Sequence, residues 1–340
     1  MAHQAAWPEK FFKDRKNSPL MSSRVSVITP LFNKKKFLGD TMRSVLSQTY
    51  DNWEWIVVDD CSTDGSAAMV AGLRDPRVKL VVNTENKGAN YCRNHAIGIA
   101  TGEYALFLDA DDVLSPGCVA ARAEEARRHR GADMLVFTLA VFNYIPGDDN
   151  RTWDPVTPEP LKRFLTHDLP WQTLQPFWKL SFLRKIGGFD ESFPRLQDVE
   201  LHTRALLEPG VTCRIVGGRP DCFYRVDAGR INFDQLEYLQ RWMRAVVQYC
   251  DKFYPLLDPK RKKWLLGTVY QAMLQLVYEE RAGRIPRGSA DPLRDLLFGT
   301  MVYRQASAFH RGLFALSKAV NRLPARIPGI NTMIKKLIAL

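Results

Sequence analysis

The first 110 residues alternate between short apolar runs and segments whose apolar positions have helical spacing. The runs are rich in β-branched and aromatic residues, which predicts buried strands. They are VSVITP (25–30), WEWIVVDD (53–60), VKLVVN (78–83) and YALFL (104–108). Asn33 is placed to cap the helix after the first strand, and Gly102 to end the helix before the fourth. Strands that alternate with helices predict an α/β domain with a mainly parallel sheet flanked by helices.

The pattern is less regular farther along the chain. MLVFTLAVFNY predicts a strand, and QDVELHTRALLE predicts a helix that begins near Gln197. CRIVGGRPDCFYRVDAGR is typical of a strand, a turn and a second strand. Helical patterns continue from Asn232 onward. These patterns predict three parts, an N-terminal extension at 1–24, an α/β domain at 25–230 and a helical region at 231–340.

Composition and charge narrow the class of protein. The 340 residues carry a formal net charge of +11, and 46% of them are hydrophobic, as in ordinary globular domains. The six cysteines form no CxxC pair, and the N-terminal stretch has no apolar core of a signal peptide, so the sequence predicts a cytosolic protein. Nucleic acid, anionic lipid and phosphorylated small molecules all suit the positive charge. Because no motif of a nucleic-acid-binding module is present, we expect no nucleic-acid partner.

The C-terminal segment concentrates the positive charge. No acidic residue follows Asp295, and apolar residues alternate with basic ones. Such a pattern is typical of a helix that lies on an anionic membrane surface, here the inner face of the plasma membrane. A helical tail packed on its own domain with a solvated basic face would show the same pattern. The basic residues are Arg304, Arg311, Lys318, Arg322, Arg326, Lys335 and Lys336.

Three carboxylates follow the fourth predicted strand, in FLDADDVLSPG. Asp109, Asp111 and Asp112 repel one another, and their burial is costly unless a positive group lies between them. They form either a solvated acidic turn or a site for a divalent cation. Mg²⁺ or Mn²⁺ usually completes its shell with water and substrate phosphate, so the second interpretation favours a nucleotide or a sugar nucleotide as substrate.

Other residues at predicted strand ends suit such a substrate. Asp60 can accept a hydrogen bond from a base N–H, Phe32 can stack on a base, and Arg93 can meet phosphates. Asp198 begins a predicted helix, where an anion is favoured, and is the best candidate for a general base. An acidic residue in the first turn of a helix is also a common structural feature. Neither GxGxxG nor GxxxxGK[ST] follows the first strand, which argues against a dinucleotide fold and a P-loop.

The chain resembles the inverting family 2 glycosyltransferases, which have the GT-A fold. The resemblance rests on four stretches in the family's order and spacing, over roughly 180 residues. They are VSVITPLFN, SVLSQTYDNWEWIVVDDCSTDGS, NKGANYCRNHAIGIATGEYALFLDADD and KIGGFDESFPRLQDVELHTRAL. The resemblance does not cover 1–24 or most of 231–340.

The resemblance implies a nucleotide site at the strand ends. Pro30 and Phe32 would line the base pocket, Asp60 would read the base, usually uracil, and Arg93 would lie near the nucleotide. Asp109 and Asp111 match the DxD motif. Asp111 would then bind Mn²⁺ or Mg²⁺ directly, and Asp109 would face the ribose or the metal.

The resemblance also implies the catalytic and acceptor residues. Asp198 matches the catalytic base, and Trp171 and Gln172 fall where the family lines its sugar and acceptor pocket. Tyr224 and Arg225 match a recurrent pair to which we assign no role. The implied reaction moves a sugar from a nucleotide-diphosphate donor to a saccharide or a lipid-linked saccharide.

Three departures from the family pattern and two competing functions remain. Gln197 precedes Asp198 where glutamate is common, which removes a negative charge next to the candidate base. Phe32 replaces a common tyrosine, which keeps stacking but removes a hydroxyl group. Cys61 replaces a frequent glycine, so we expect no positive φ there. A catalytically silent nucleotide-binding scaffold of the same fold is one alternative function, and a nucleotidyltransferase is another. The retained Asp109, Asp111 and Asp198 argue against the first, and the missing glycine-rich phosphate loop argues against the second.

Overall fold

The computed structural model describes residues 23–226, 234–321 and 329–338. The predicted extension at 1–24 lies almost wholly outside these residues, as do Arg322 and Arg326 of the basic tail. The chain forms two compact units. The first contains Met1–Pro158, Pro170–Glu191 and Arg204–Gly229, and the second contains Glu159–Leu169, Ser192–Thr203 and Arg230–Leu340.

In the described part of the chain, a sheet of nine strands forms the centre of the first unit. Eight strands follow the order β3-β2-β1-β4-β8-β6-β9-β5, and β7 pairs with β6. The bounds are β1 Val25–Leu31, β2 Trp53–Asp59, β3 Val78–Val82, β4 Tyr104–Phe107, β5 Val113–Leu114, β6 Met134–Phe142, β7 Thr152–Trp153, β8 Pro176–Lys179 and β9 Cys213–Arg225.

The sheet is parallel where the sequence alternates strands with helices. β3, β2, β1 and β4 are parallel neighbours, whereas β8 pairs antiparallel with both β4 and β6. The sheet as a whole is therefore mixed, and the predicted α/β class is confirmed. All seven residues of β2 are buried, as expected for a central strand covered on both faces.

Short helices flank the sheet of the first unit. Their apolar faces pack on a core that includes Val27, Trp55, Val57 and Leu106. In α1, the apolar residues Leu38 and Val45 are fully buried, and Met42 and Leu46 are half-buried. The helices are α1 Lys35–Leu46, α2 Ser66–Ala71, α3 Ala89–Ile99, α4 Cys118–Arg128 and α6 Leu180–Lys185.

Both predicted helix caps in this unit are wrong. The residue that precedes α1 is Lys34, and the Asn33 side chain instead accepts a hydrogen bond from the Thr63 backbone at 2.9 Å. α3 ends at Ile99, before Gly102. A Cβ atom on Gly102 would lie 2.6 Å from Ser26 Oγ, so glycine is required there for close contact with β1 and not for a helix end.

The predicted strand–turn–strand after 213 is a single irregular strand. β9 pairs with β6 over Cys213–Gly217 and again over Cys222–Arg225, with register shifts near Phe137 and no partner in β6 for residues 218–221. Gly217 and Gly218 have φ of 64° and 95°, which lets the chain make the irregularity without leaving the sheet. The wrong prediction arose because paired glycines are typical of both a turn and a β-bulge.

Helices make up the second unit. The predicted helical region after Asn232 is confirmed over its described residues, and no helix there or elsewhere in the described chain is long and apolar enough to cross a membrane. The helix α7 Gln197–Leu207 begins in the second unit and ends in the first. The others are α5 Pro160–Leu165, α8 Gln235–Phe253, α9 Pro259–Arg281, α10 Asp291–Gly299, α11 Met301–Arg304, α12 Ala308–Val320 and α13 Ile330–Ile338.

The second unit contains a buried histidine, His202, and a half-buried one, His167. The His167 ring packs on Trp242 and the His202 ring on Phe164, with centroids 5.6 and 5.4 Å apart. Burial lowers the pKa of His167 to about 4 and that of His202 to about 3, and the nearby Lys335 ammonium adds to the first shift. Both rings are therefore neutral in the folded protein at neutral pH.

Acid should destabilise the second unit through these two rings. Below about pH 6.5 the unfolded chain takes up protons on both histidines, whereas the folded chain does so near pH 4 and below. Within that pH range, each ring lowers the free energy of unfolding by up to about 1.4 kcal/mol per pH unit. We expect the urea concentration at the unfolding midpoint to decrease as the pH is lowered from 6.5 to 4.5. In His202→Gln this decrease should be smaller. An unchanged slope in this variant would contradict the assignment.

Candidate functional site

Three adjacent parallel strands end at one edge of the sheet. β1 lies between β2 and β4, with Leu31 opposite Asp59 and Ile28 opposite Phe107. The Asp60 N–H donates to the Leu31 carbonyl at 2.7 Å. The loops that carry Phe32, Asp60 and the acidic cluster therefore start side by side, as expected for a ligand site in a parallel sheet.

The loops after β1 and β2 are joined by side-chain hydrogen bonds. The Asn33 N–H donates to Ser62 Oγ at 2.9 Å, and the Lys34 N–H donates to Ser66 Oγ at 3.0 Å. Next to these bonds, Pro30 is half-buried and the Phe32 ring is 46% exposed. An exposed ring on a fixed loop suits stacking on a planar ligand.

Cys61 contradicts the expectation of an ordinary backbone conformation. Its φ is 66°, in the left-handed region. The turn is imposed from both sides, because the Asp60 N–H is bound to Leu31 and the Ser62 N–H donates to Asp59 Oδ2 at 3.0 Å. A side chain in this conformation costs about 1 kcal/mol relative to glycine.

The Asp60 carboxylate organises the next loop. It accepts hydrogen bonds from the backbone N–H groups of Lys87 and Gly88, both at 2.8 Å, and from the Asn83 amide at 2.9 Å. Asp60 is 3% exposed. The Cys92 thiol also forms a hydrogen bond with this carboxylate. A role in reading a base stays a prediction.

Two of the three clustered carboxylates bind basic side chains. Arg93, from α3, donates to Asp109 Oδ1 at 2.7 Å and packs over the ring of Phe189. Lys34 Nζ lies 2.5 Å from Asp111 Oδ2. Arg93 is buried, whereas the Asp109 side chain is 38% exposed. Arg93 thus holds one predicted metal ligand, and Lys34 the other.

Arg225 fixes the third carboxylate and the loop itself. Its backbone N–H donates to Asp112 Oδ1 at 2.9 Å, its Nε to the Asp111 carbonyl at 2.8 Å, and its Nη2 to Asp40 Oδ2 at 2.7 Å. The guanidinium is 4.3 Å from the centroid of Phe142. Arg225 therefore ties the acidic loop to α1 and to the end of β9.

Asp112 is unlike the other two carboxylates. Burial raises the pKa of Asp112 well above its usual range, and the adjacent charges of Asp111 and Asp109 raise it further. The loop backbone is also fixed, because the Thr41 hydroxyl contacts the carbonyls of Ala110 and Asp112 at 3.0 and 2.8 Å. Asp112 shapes the loop, while Asp109 and Asp111 present the more accessible oxygens.

A divalent cation fits this arrangement when other ligands complete it. Among the described residues, no three His, Cys, Asp or Glu side chains form a group that could hold a metal ion. Two carboxylates two residues apart are instead the donor set with which Mg²⁺ is bound together with water and substrate phosphates. Asp109 and Asp111 are the residues that would hold it.

The predicted acceptor-pocket residues are not equally accessible. Trp171 is 1% exposed, so its ring is part of the interior of the first unit. Gln172 is half-buried, and its Oε1 accepts from the Leu174 N–H at 3.3 Å. Its N–H donates to Gln175 Oε1 at 3.0 Å. The roles of Trp171 and Gln172 in an acceptor pocket stay predictions.

Asp198 lies in the first turn of α7, in the part of that helix that belongs to the second unit. Its Oδ1 accepts from the Val199 N–H at 2.9 Å, and the side chain is half-buried. A helix N-terminus stabilises the ionised form of such a carboxylate. This placement suits a base that is charged at neutral pH.

Sequence reasoning missed three residues of this site. Lys34 stands in a run of three lysines and Asp40 on a helix surface, so neither pattern distinguishes them. The sequence identifies Arg225 only as a member of the recurrent pair with Tyr224, to which it assigns no role. Its apolar neighbours and its place at a strand end were the signal that could have identified it as a buried, paired arginine.

A comparison with protein families now identifies the α/β part. The family model described as glycosyl transferase family 2 matches residues 26–185. The chain contains a family 2 glycosyltransferase domain. The matched segment includes the acidic loop and the strand ends described above, whereas Asp198 and Arg225 lie beyond it.

Curated relatives resemble part of the family 2 domain. TuaG of Bacillus subtilis, named as a teichuronic acid biosynthesis glycosyltransferase, is 47% identical over 90 residues, which are 26% of this chain and 36% of TuaG. WfgD of Escherichia coli, named as a UDP-Glc:alpha-D-GlcNAc-diphosphoundecaprenol beta-1,3-glucosyltransferase, is 43% identical over 89 residues, 26% of this chain and 35% of WfgD. The chain thus matches about a third of the length of these relatives.

Solved structures share the fold over most of the chain. S. aureus TarS in complex with UDP-GlcNAc has a TM-score of 0.65 at 16% identity, covering 93% of this chain and 90% of that one. The mannosyltransferase PcManGT of Pyrobaculum calidifontis, in complex with GDP-Man and Mn²⁺, has a TM-score of 0.51 at 20% identity, covering 97% and 90%. At these identities the likeness shows the GT-A fold alone.

Arg225 yields a prediction on stability. Arg225→Met would leave the buried Asp111 carbonyl without its Nε donor and should lower the free energy of unfolding by about 1–3 kcal/mol. Asp40→Asn removes one charge of the same ion pair, but the Asp40 side chain is 36% exposed, so we expect a loss below about 1 kcal/mol. Urea unfolding of both variants checks this. Equal losses would contradict the assignment of Arg225 to the loop.

Proposed function

We propose that this chain is an inverting glycosyltransferase that moves a sugar from a UDP-sugar to a hydroxyl group of a saccharide or a lipid-linked saccharide. The observation that carries the proposal is the convergence of Phe32, Asp60, Asp109 and Asp111 at the ends of three adjacent strands within the family 2 domain. UDP-GlcNAc in TarS and UDP-Glc in the name of WfgD support UDP as the nucleotide.

Residues of the first unit would bind the donor. The exposed Phe32 ring would stack on the base beside Pro30, and the Asp60 carboxylate would accept a hydrogen bond from a base N–H. Asp109 and Asp111 would hold Mn²⁺ or Mg²⁺, which when bound offsets the negative charge of the leaving diphosphate. Arg93 keeps the Asp109 carboxylate in place. The Mn²⁺ in the PcManGT complex supports a divalent ion as cofactor.

The reaction would be a single displacement. The acceptor oxygen bonds to the anomeric carbon as the bond from that carbon to the diphosphate oxygen breaks, and the acceptor proton passes to Asp198. Attack from the face opposite the leaving group inverts the anomeric configuration. Since no covalent enzyme intermediate forms, a second carboxylate as nucleophile is not required.

The test combines UDP binding with turnover. We expect UDP to bind in calorimetric titration with Mn²⁺ and much more weakly with EDTA, and Asp111→Asn to lose the metal-dependent part. Asp198→Asn should still bind UDP but transfer sugar at least about 10²-fold more slowly, because the acceptor proton has lost its base. Asp51→Asn is the matched control, since the Asp51 side chain is 94% exposed.

The outcomes separate the alternatives. Metal-dependent UDP binding without turnover of any UDP-sugar in the wild type would indicate a silent scaffold. An Asp198→Asn variant with wild-type turnover would refute the proposed base. Absence of UDP binding with or without metal would refute the UDP site, and titrations with GDP and dTDP would then distinguish another nucleotide from a dead site.

We also propose that the C-terminal helices contact an anionic membrane that carries the acceptor, at the cytoplasmic face. The support is the exposure of apolar side chains on α12 and α13, where Phe309 is 61% exposed, Leu316 45% and Met333 49%. No acidic residue lies in this part of the sequence. The lipid-linked acceptor in the name of WfgD agrees with such a location.

Vesicle sedimentation tests this surface without disturbing the core. Deleting the tail would remove Phe314, which is buried against Tyr303 with centroids 5.2 Å apart, so surface substitutions are preferable. Phe309→Ser with Leu316→Ser should weaken binding to phosphatidylglycerol vesicles at least about tenfold. Leu256→Ser, which changes a residue 67% exposed elsewhere in this unit, is the control. Equal binding by both variants would refute the surface.

A further inference from the structure

Lys34 has a fixed position at the edge of the sheet. Its backbone N–H donates to Ser66 Oγ at 3.0 Å, and the preceding Asn33, with φ of 50°, is held by Ser62 and Thr63. The Lys34 side chain thus starts from a backbone that two loops hold in place. The direction in which the Lys34 side chain leaves the backbone is therefore fixed by these hydrogen bonds.

The Lys34 ammonium forms an ion pair with the Asp111 carboxylate. Nζ and Oδ2 are 2.5 Å apart, and the two side chains are 33% and 10% exposed. Because the pair is partly removed from water, its attraction exceeds that of an exposed pair. The adjacent Lys36 differs, since it is exposed and its ammonium lies over the Phe37 ring at 4.7 Å.

We propose that Lys34 is a resident cation of the donor site that couples metal binding to diphosphate binding. This inference rests on the proposed function. Without a divalent ion, Lys34 neutralises Asp111. An ammonium and a divalent ion that share one carboxylate repel each other, so metal binding must displace Lys34. The ammonium on its four-carbon chain can then pair with the donor phosphates.

This arrangement has two opposite consequences. In the nucleotide-free protein, Lys34 competes with the metal and lowers its affinity. With UDP present, the displaced ammonium gains phosphate partners, so UDP strengthens metal binding and metal strengthens UDP binding by the same factor. The enzyme would therefore bind metal mainly together with its donor.

Mn²⁺ titration, with free Mn²⁺ followed by electron paramagnetic resonance, tests the competition directly. In nucleotide-free protein, Lys34→Met should bind Mn²⁺ at least about tenfold more tightly than the wild type, because a positive charge next to the ion is gone. Lys36→Met removes the same charge from a neighbouring exposed position and should change the affinity by no more than about twofold. With UDP added, the gain in Mn²⁺ affinity should be smaller in Lys34→Met than in the wild type.

The outcomes separate this inference from the proposed function. Mn²⁺ binding that is lost in Asp111→Asn but equal in the wild type and Lys34→Met would overturn the role of Lys34 and leave the metal site in place. Equal gains in Lys34→Met and Lys36→Met would overturn it too, because the effect would then be one of net charge. Absence of Mn²⁺ binding in every variant, with and without UDP, would overturn both.

Discussion

The structure depends on the balance of charge in one loop of four residues, Asp109 to Asp112. Three carboxylates follow a buried strand there, and none could be held so close without positive groups nearby. Each binds a partner from a different element. Asp109 pairs with Arg93 in α3, Asp111 pairs with Lys34 after β1, and Asp112 accepts a hydrogen bond from the Arg225 backbone at the end of β9. The acidic loop is therefore the point at which distant segments of the chain are joined.

The same balance explains how one loop can be both rigid and chemically active. Arg225 and Thr41 fix the backbone, and the buried Asp112 accepts a hydrogen bond within the protein. Asp109 and Asp111 keep their carboxylates toward the more accessible side, paired with side chains that can exchange partners. The proposed reaction would need such exchangeable pairs, since permanent neutralisation would exclude the metal and the diphosphate.

The sequence predicted β1 to β4 and the helices between them because each of these strands is an apolar run and the helices have periodic apolar positions. It gave no signal for the short strands β5, β7 and β8. It failed where tertiary contacts decide the conformation. Gly102 looks like a helix end but provides close contact with Ser26, and Cys61 adopts a positive φ because bonds on both sides impose the turn. The acidic cluster at a strand end indicated Asp109 and Asp111, and the resemblance to family 2 added their match to the DxD motif. The pairing of Lys34 and of Arg225 with their loop depends instead on side-chain directions that no pattern encodes.

The central claim is that Asp111 exchanges a resident ammonium for a divalent ion when the donor binds. The most direct measurement is a crystal structure with Mn²⁺ and UDP, with anomalous diffraction at the manganese edge. The account predicts an anomalous peak within about 2.0–2.3 Å of an Asp111 oxygen and the Lys34 ammonium turned to the diphosphate. A peak away from Asp111, or a Lys34–Asp111 pair that persists beside bound UDP, would contradict it.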